Sequence, residues 1–294
     1  MSLPSLQDKK CLITGAASGI GRAVALAVAA EGGELFLTDI DPQGLASAEQ
    51  ECRAAGAAIR ACMAFDIADY DAVRAFAEQV HAEHGSLDVV MNVAGIAIWG
   101  TVDRLEHKHW RQAIEVNLMG PIHVIECFIP PMMAAGRGGH LVNVSSAAGL
   151  FGLPWHAAYS ASKFGLRGVS EVLRFDLAEH RIGVSLVCPG GVDTELVRSV
   201  NIVGLDRDHK EVTAMAEHFR RHAVSPQQAA KAILKGIKAN RYLIYTSPDV
   251  RIGHWFQRKF SPGYDIAMGL LNRRFRQIDK RVNAPTSNDH HRGD

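Results

Sequence analysis

The feature that most constrains the fold is a regular alternation of short apolar runs with longer amphipathic stretches. Six runs have the length and composition of β-strands that are covered on both faces, at residues 10–14, 34–39, 58–65, 87–92, 140–144 and 183–188. The stretches between them have helical periodicity, at residues 19–30, 42–55, 70–84, 105–134 and 156–180. Strands that alternate with helices form right-handed βαβ units. The sequence therefore predicts an α/β fold with a doubly wound, Rossmann-like parallel sheet in three α/β/α layers.

The pattern is less regular beyond residue 188. Ser225 and Pro226 are a favourable N-cap and first residue for a helix that runs to residue 239, and a short strand follows at 241–245. No linker rich in Pro, Gly or Ser occurs before residue 240, so we expect a single domain. Prolines are expected to perturb the long helical stretch, at Pro121 and at Pro130 and Pro131.

The composition limits the classes of function. The net charge of +1 gives no global attraction for nucleic acid, and no apolar run reaches the roughly 18 residues that span a bilayer. The five cysteines are scattered, odd in number and without the spacing of metal ligands, so no metal site is expected. The N-terminus lacks the apolar core of a signal peptide. These features predict a reducing, cytoplasmic setting.

A glycine-rich turn follows the first predicted strand, with Gly15, Ser18, Gly19 and Gly21 in the spacing Gly-x3-Gly-x-Gly. Such a turn between a strand and a helix lets backbone amides approach a pyrophosphate, and the helix N-terminus adds a favourable partial charge. The alternative is a tight turn whose glycines serve packing alone. The position in the first βα turn favours a nucleotide site.

Asp39 ends the second predicted strand, about 20 residues beyond the glycine-rich turn. A carboxylate there can accept hydrogen bonds from an adenosine ribose and would repel a 2′-phosphate. Neighbouring positions hold Ser18 and Ile40 rather than a basic residue, so the sequence predicts NAD rather than NADP. Asp39 could also cap the following helix or turn, and Asp66 could bond an adenine amino group or begin a turn.

Tyr159 and Lys163 are four residues apart in a predicted helix, so their side chains share one face. A nearby ammonium is expected to lower the pKa of the phenol, which would let the tyrosine exchange protons near neutral pH. A surface tyrosine and lysine on an ordinary helix would have the same spacing.

Together these elements resemble the short-chain dehydrogenase/reductase family over residues 10–194. Besides the glycine-rich turn, the matching segments are Asn92-Val93-Ala94-Gly95, Glu115-Val116-Asn117-Leu118, Val142-Asn143-Val144-Ser145-Ser146, the Tyr159–Lys163 pair and Pro189-Gly190-Gly191-Val192-Asp193-Thr194. One departure is Val93, where the family has a second asparagine. The resemblance implies a catalytic set of Asn117, Ser146, Tyr159 and Lys163. It implies cofactor contacts from Gly15, Ser18, Gly19, Ile20, Gly21, Asp39, Asp66, Ile67, Asn92, Ala94, Gly95, Tyr159, Lys163, Pro189, Gly190, Val192 and Thr194.

The resemblance also implies the role of each catalytic residue. Tyr159 would act as general base in alcohol oxidation and as general acid in carbonyl reduction. Ser146 would hydrogen-bond the reacting oxygen, Lys163 would hold the nicotinamide ribose, and Asn117 would anchor a water that relays protons. Ser145 is the rival for the serine role, because adjacent side chains in a strand face opposite ways.

The residues expected around the substrate are mostly apolar, which suits a small hydrophobic alcohol or ketone. The substrate contacts predicted are Ile98, Trp99, Ser146, Trp155 and Tyr159. Other apolar residues at 150–153 and 196–203 could line the same pocket, pack in the core or lie at a subunit interface. His156 is either a polar anchor in this pocket or an ordinary helix-start residue.

The resemblance also divides the chain into regions. Residues 1–248 form the NAD-binding catalytic domain with a substrate lid at about 195–223, residues 249–282 form a helical extension, and residues 283–294 form a disordered tail. Within 251–281, eight Lys or Arg and two Asp alternate with large apolar residues. Such a helix could lie on an anionic membrane, cover a neighbouring subunit or roof the pocket, and packing on the protein is favoured.

The favoured function is an NAD-dependent oxidoreductase that interconverts a hydrophobic secondary alcohol and its ketone, in a homodimer or homotetramer. An NADP-dependent carbonyl or ketoacyl reductase is the alternative enzyme, and Asp39 argues against it. A non-catalytic nucleotide-sensing protein could share the fold, but the complete catalytic set argues against that function. No nucleic-acid motif is recognisable.

Overall fold

In a computed structural model of the chain, which describes residues 3–198 and 200–283, strands and helices alternate as the sequence predicts. In chain order they are β1 (Lys10–Thr14), α1 (Gly19–Ala30), β2 (Glu34–Asp39), α2 (Pro42–Ala54), β3 (Ala58–Ala64), α3 (Tyr70–His84), β4 (Val89–Asn92), β5 (Ile98–Trp99), α4 (His107–Ile114), α5 (Gly120–Ala135), β6 (Gly139–Val144), α6 (Ala157–Asp176), β7 (Ile182–Cys188), α7 (Glu195–Arg198), β8 (Asn201–Ile202), α8 (Lys210–His222), α9 (Pro226–Lys238), β9 (Leu243–Tyr245), α10 (Pro248–Lys259) and α11 (Ser261–Val282).

Seven parallel strands form the main sheet in the order β3-β2-β1-β4-β6-β7-β9. Ile13 of β1 pairs with Leu37 on one side and with Met91 on the other, so β1 lies inside the sheet. The strand order reverses between β1 and β4, which is where ligands bind in sheets of this kind. The predicted doubly wound parallel sheet is confirmed.

Side chains on alternate positions of the strands pack into two cores, one on each face of the sheet. On one face, Ile13 of β1 packs with Val28 of α1 and Ile237 of α9. On the other face, Leu12 of β1 packs with Phe128 of α5 and with residues of α3. The neighbouring residues Leu12 and Ile13 therefore belong to opposite layers, which is the arrangement that a strand covered on both faces requires.

The long helical stretch is interrupted just before Pro121, as predicted, but not at Pro130 and Pro131. A π-helical turn at Glu115–Met119 separates α4 from α5, and the amide of Gly120 bonds the carbonyl of Glu115 five residues earlier. Pro121 has no amide hydrogen to donate to the carbonyl of Asn117, as a regular α-helix would require, and the wider turn lies just before it. Pro130 and Pro131, by contrast, lie within α5 without ending it.

Residues His107–Ala135 are by length and composition apolar enough to cross a membrane, with a mean hydropathy of 1.3 over the best window. Their arrangement is that of a core helix, because Phe128 and Met132 are buried against the sheet. The polar side chains of Asn117 and His123 are also buried and hydrogen-bonded within the protein.

The segment after β7 has the elements that the sequence suggested, in a short form. β8 pairs with β5 in a small two-stranded ladder, and α8 follows β8 along the chain. Ser225 and Gln228 form a capping box at the start of α9, and Pro226 is its first residue. α10 and α11 fill the predicted helical extension. Of the tail predicted at 283–294, only Asn283 belongs to the described residues, and 284–294 lie outside them.

Candidate active site

The central strands β1, β4, β6 and β7 end at one edge of the sheet, at Thr14, Asn92, Val144 and Cys188. The segments that follow these strands carry most of the residues predicted for the site. Parallel strands bring their carboxyl ends together, so residues far apart in the chain meet at this edge.

The glycine-rich turn is shaped by close backbone approaches that exclude a side chain. A Cβ on Gly15, whose φ is +69°, would lie 2.7 Å from the Cα of Ala94. A Cβ on Gly19, whose φ is +52°, would lie 3.0 Å from the side chain of Thr194, and one on Gly21 would lie 1.9 Å from the carbonyl of Gly15. The positive φ values and the lack of space explain why these three positions are glycine.

The N-terminus of α1 faces the same edge with its first amides available to a ligand. Ser18 is the N-cap residue, and its side chain makes no capping hydrogen bond. Orphan amides and the helix dipole favour an anion at such a terminus. A cavity of about 330 Å³ adjoins it, lined by Ser18, Gly95, Ile96, Ala97, Ile98, Gln112, Glu195, Leu196 and Asn201. The turn, the free amides and this cavity fit the predicted dinucleotide.

Asp39 holds the glycine-rich turn against the end of β2. Its carboxylate accepts hydrogen bonds from the amide of Ala17 at 2.9 Å and from the amide of Asp41 at 3.0 Å. The N-cap of α2 is Asp41 and not Asp39. Arg22 also reaches the turn, but its guanidinium forms a two-point ion pair with Glu51, at 3.1 and 2.7 Å. The net charge beside the ribose position is therefore negative.

Asn117 lies in the π-helical turn and is fully buried. Its side-chain oxygen accepts from the amide of Ile96 at 2.9 Å, and its amide group donates to the carbonyl of Ile96 at 3.0 Å. The same amide group donates to the hydroxyl of Ser162 at 3.2 Å. The hydrogen bonds of the Asn117 side chain thus hold the segment after β4 against α6.

Ser146 and Tyr159 form the polar pair of the site. The hydroxyl of Ser146 accepts from the amide of Ala148 at 3.1 Å, and it lies close enough to the phenol of Tyr159 to lower the pKa of that group. The hydroxyl of Ser145 instead donates to the backbone carbonyl of Lys163 at 2.9 Å. Because the two serines face opposite ways, the structure favours the assignment of Ser146 over Ser145.

Lys163 is buried, and its ammonium donates to the carbonyl of Val144 at 3.1 Å. It lies 5.8 Å from the centroid of the Tyr159 ring, and burial lowers its pKa to about 8. The expectation that Lys163 lowers the phenol pKa is wrong for the protein alone. Burial raises the pKa of Tyr159, and the hydrogen bond from Ser146 acts in the opposite direction.

A cavity of about 740 Å³ opens from Ser146 and Tyr159. Its walls come from the segment after β4, the segment between β6 and α6, the region 196–220 and the C-terminal helices. The residues that line it include Trp99, Phe151, Leu153, His156, Leu196, Val197, Val200, Ile202, Leu205, Val212, Met215, Phe219, Val250, Leu271, Arg274 and Phe275. The lining is mainly apolar, with a few charged residues (Arg207, Asp208, Glu217, Arg220, Asp249 and Arg274).

His156 is both the residue at the start of α6 and part of the cavity wall. Its Nδ1 lies 2.6 Å from the carbonyl of Pro154, and its ring packs on Trp99 with centroids 4.3 Å apart. A carbonyl only accepts hydrogen bonds, so Nδ1 carries the proton and Nε2 has a free lone pair. Burial lowers the pKa of His156 to about 4, so the ring is neutral.

Residues 9–203 match the family model described as short chain dehydrogenase. The chain belongs to the short-chain dehydrogenase family. Membership in the family identifies an oxidoreductase that acts on a CH–OH group or on the corresponding carbonyl.

Known members of the short-chain dehydrogenase family match most of this chain. SadH of Mycobacterium tuberculosis, which its name places among the oxidoreductases, is 38% identical over 239 residues, covering 80% of this chain and 84% of SadH. A short-chain dehydrogenase/reductase of Burkholderia phymatum in complex with NAD superposes with a TM-score of 0.77 and 27% identity, over 87% of this chain and 94% of that one. A metagenomic short-chain oxidoreductase in complex with NADP has a TM-score of 0.65 and 31% identity, over 82% and 96%. Relatives of this fold thus bind either nucleotide.

Three residues predicted for this short-chain dehydrogenase site lie elsewhere. The side chain of Asn92 is buried and donates to Asn143 at 2.9 Å, so it stabilises the interior rather than facing a cofactor. Ile98 packs in a small core with Leu105 and lines the smaller cavity beside α1 rather than the large one. Trp155 lies outside the cavity lining, because its ring packs on Phe275 with centroids 5.4 Å apart.

The other predicted contacts of the short-chain dehydrogenase cofactor site lie around the same edge. Asp66 accepts from the amide of Ala68 at 2.9 Å, which begins the turn before α3. Ile67 is buried, so its backbone rather than its side chain remains available. The carbonyl of Pro189 accepts from the amide of Ala147 at 2.7 Å, which ties the segment after β7 to the start of the segment after β6.

The sequence did not predict one contributor to the short-chain dehydrogenase site, and it left open whether the C-terminal helices roof the pocket. Thr14 accepts from the amides of Val93 and Ala94 at 3.0 and 3.1 Å and so fixes the segment under the predicted cofactor. Its place at the end of the first strand was a signal for this role. Leu271 and Phe275 of α11 line the cavity from about 110 residues further along the chain, and their spacing of four residues shows only that they share one helix face.

Proposed function

We propose that the protein is an NAD-dependent oxidoreductase that interconverts a hydrophobic secondary alcohol and its ketone. The observation that carries the proposal is the Ser146–Tyr159 pair, which opens into an apolar cavity beside the glycine-rich turn. A proton-exchanging pair at the floor of a cavity is the arrangement that alcohol oxidation needs. When bound, NAD would supply the hydride acceptor for oxidation and, in reduced form, the hydride donor for reduction.

Tyr159 would exchange the proton of the reacting oxygen. In oxidation the phenolate takes the proton of the alcohol, and in reduction the phenol gives it to the oxygen of the carbonyl. Ser146 supports this step in two ways, because its O–H can donate to the reacting oxygen and also to the phenolate. The amide of Ala148 occupies a lone pair of the serine oxygen, which leaves its O–H as the group available to the site.

Lys163 and Asn117 would support the Ser146–Tyr159 pair. The ammonium of Lys163 lies beside Gly95, where an added Cβ would be 3.2 Å from Nζ, so it is within reach of a cofactor ribose over that glycine. A positive charge in the site favours phenolate over phenol and so opposes the effect of burial on Tyr159. The side chain of Asn117 holds Ile96 in place, so any water relay would have to use its backbone carbonyl.

The charges near Asp39 support NAD over NADP. The carboxylate of Asp39 is fixed by two backbone amides, and the adjoining Ile40 is exposed and uncharged. The guanidinium of Arg22 donates to the carbonyl of Ala17 in the turn at 3.4 Å, and Glu51 neutralises its charge. A 2′-phosphate would therefore meet a negative charge without a positive partner.

The size and lining of the cavity support a hydrophobic substrate larger than a simple alcohol. Its volume of about 740 Å³ is in the range of drug-sized ligand sites, about 300–1,000 Å³. Apolar side chains such as Phe151, Val197, Phe219 and Leu271 dominate the wall. Burial of apolar surface would supply most of the binding free energy.

The test is a screen of secondary alcohols with NAD and with NADP, following the absorbance of the reduced cofactor. We expect turnover with NAD and a loss of at least about a hundredfold in Tyr159→Phe, because a positioned acid–base group contributes about 10²–10⁴. Tyr70→Phe is the matched control, since Tyr70 is exposed, bonds Glu126 and does not line the large cavity. Turnover with NADP alone would contradict the cofactor, and full activity in Tyr159→Phe would contradict the mechanism.

A homodimeric or homotetrameric state remains a prediction from the family resemblance, and a cytoplasmic location remains a prediction from the cysteines and the N-terminal sequence. Light scattering of the purified protein would measure the first. Fractionation of the native host would measure the second.

A further inference from the structure

The C-terminal helices α10 and α11 present one face to the protein and another to solvent. Val250 and His254 of α10 and Ile278 of α11 are buried, which fixes the inward faces of the two helices. Large apolar side chains on the opposite side are 52–66% exposed, namely Ile252, Trp255, Phe260, Ile266 and Leu270. We call these five residues and the basic residues among them the outer face of α10 and α11.

The outer face is strongly basic. Residues 251–281 contain eight Lys or Arg and two Asp, although the whole chain has a net charge of only +1. The positive charge is therefore concentrated in this segment, and the remainder of the chain is net negative. One of the two acidic residues, Asp279, is already paired with Arg104 at 2.7 Å. Among the eight basic residues, only Arg281 forms an ion pair within the described part of the chain, with Glu211.

Apolar and basic residues lie side by side along each helix. Ile252 and Trp255 are three residues apart, so they project from the same side of α10. Ile266, Leu270 and Arg273 follow at spacings of four and three on α11. A helix with exposed aromatic and aliphatic side chains flanked by Lys and Arg is the pattern of an interfacial helix that lies in a membrane surface.

The body of the protein holds this face in place. The ring of Phe275 packs on the ring of Trp155 with centroids 5.4 Å apart, on the inward side of α11. The Arg104–Asp279 ion pair ties the end of the same helix to the segment before α4. The outer face is therefore already ordered before it binds, so binding carries no entropic cost for ordering it.

We propose that the outer face of α10 and α11 binds the surface of an anionic lipid bilayer. Exposed Trp255 and Phe260 would enter the headgroup region, and the flanking Arg and Lys would attract anionic headgroups. Each basic side chain near an anionic surface adds to the attraction, so exposed residues of the outer face such as Lys259, Arg273 and Arg276 favour such a surface.

A second copy of the chain fits this face less well. A symmetric dimer places the same patch of each copy against the other. Such an interface would bring together two segments that each carry six excess positive charges, and charged residues are depleted from the cores of protein interfaces. Anionic headgroups carry the charge opposite to that of the outer face, whereas a second copy carries the same charge.

Lipid binding by the outer face would also place the substrate cavity close to the bilayer, and this part rests on the proposed function. α11 lines the cavity with Leu271 and Phe275 on its inward side, while Ile266 and Leu270 lie on its outer side. One helix would therefore separate the bilayer from the site of a hydrophobic substrate. Lipid binding itself does not depend on the activity.

The experiment is co-sedimentation of the full chain with vesicles of phosphatidylcholine alone and of phosphatidylcholine with 30% phosphatidylglycerol. We expect binding to the anionic vesicles at least tenfold stronger than to neutral ones, with a marked decrease at 0.5 M salt. The variant Trp255→Glu/Leu270→Glu should lose at least tenfold in binding, and Arg273→Glu/Arg276→Glu should lose a similar factor. Val102→Glu is the matched control, because Val102 is 78% exposed and lies outside the outer face.

Thermal unfolding of each variant shows whether it folds, and light scattering reports its oligomeric state. Equal binding to both vesicle types, no binding, or unchanged binding of Trp255→Glu/Leu270→Glu would overturn the proposal. So would an oligomer of the wild type that these substitutions dissociate, since the face would then belong to a second copy. A failure of the proposed oxidoreductase activity would leave the vesicle result unaffected.

Discussion

The hydroxyl of Ser146 lies beside the phenol of Tyr159 and lowers its pKa, while that of the adjacent Ser145 donates to the backbone carbonyl of Lys163 at 2.9 Å. Both serines come directly after β6, and adjacent side chains in an extended segment face opposite sides. The two serines therefore make a natural pair for testing which groups act on the substrate.

Ser146→Ala and Ser145→Ala should affect different properties. We expect Ser146→Ala to lower kcat by about a hundredfold, since removal of one oriented donor from a reacting oxygen costs about that much. Ser145→Ala should retain most of the activity and lower the free energy of unfolding by about 1 kcal/mol, through the lost bond to Lys163. Steady-state kinetics and urea unfolding of both variants would check this. The opposite pattern would assign the catalytic role to Ser145.

The pH dependence should have opposite signs in the two directions of reaction. Burial raises the pKa of Tyr159 and the hydrogen bond with Ser146 lowers it. Oxidation needs the phenolate, so its kcat/KM should rise with pH, and reduction needs the phenol, so its kcat/KM should fall. The residual activity of Ser146→Ala should show both limbs displaced to higher pH, because the lowering contribution is lost. Limbs that stay in place would show that another group titrates.

Cofactor preference should depend on the charge at Asp39. Asp39→Asn keeps an oxygen that can accept from the amide of Ala17 but removes the negative charge. We expect this change to reduce the preference for NAD by about tenfold, which corresponds to about 1.4 kcal/mol. Adding Ile40→Arg should give a net preference for NADP, because Ile40 is exposed next to that carboxylate. The ratio of kcat/KM values for the two cofactors measures both effects, and an unchanged ratio in both variants would contradict the assignment.

The sequence predicted the sheet and the glycine-rich turn well, because both depend on local patterns. The apolar runs define β1 to β4, and the positive φ values of Gly15 and Gly19 explain the residue type at those positions. Patterns of this kind need no knowledge of distant contacts.

Other features depend on contacts between distant residues, and the sequence did not predict them. Trp155 was expected to face the substrate, but Phe275 from α11 covers its ring. The lowered phenol pKa was expected from the spacing of Tyr159 and Lys163, yet the ammonium bonds the carbonyl of Val144, and burial determines the sign of the pKa shift. Spacing identifies which residues share a helix face and leaves open what that face contacts.

His156 should select substrates that carry a second hydrogen-bond donor near the reacting carbon. Its Nδ1 is used by Pro154, so only Nε2 can accept from a substrate. His156→Asn can keep a donor near Nδ1 and loses the acceptor, whereas His156→Gln can keep an acceptor near Nε2. We expect His156→Asn to lose about tenfold in kcat/KM for hydroxyl-bearing substrates relative to matched methyl compounds, about 1.4 kcal/mol. His156→Gln should keep part of the preference for hydroxyl-bearing substrates over methyl compounds. An equal loss of kcat/KM for both substrate types would indicate that His156 has a structural role only.

His140 should make the fold sensitive to mild acid. It is fully buried, its Nε2 lies 2.8 Å from the hydroxyl of Ser185, and burial lowers its pKa to about 4. The unfolded chain binds a proton below about pH 6.5, while the folded protein binds it only near pH 4. The contribution to stability is therefore complete above pH 6.5 and is lost as the pH falls, by about 2 kcal/mol at pH 5. Urea unfolding measures the free energy of unfolding at pH 7.5 and at pH 5. We expect the difference between the two values to be smaller by about 2 kcal/mol in His140→Gln than in the wild type. The glutamine can keep a donor to Ser185. The exposed His107→Gln is the matched control, and an unchanged profile in His140→Gln would assign the acid sensitivity to other groups.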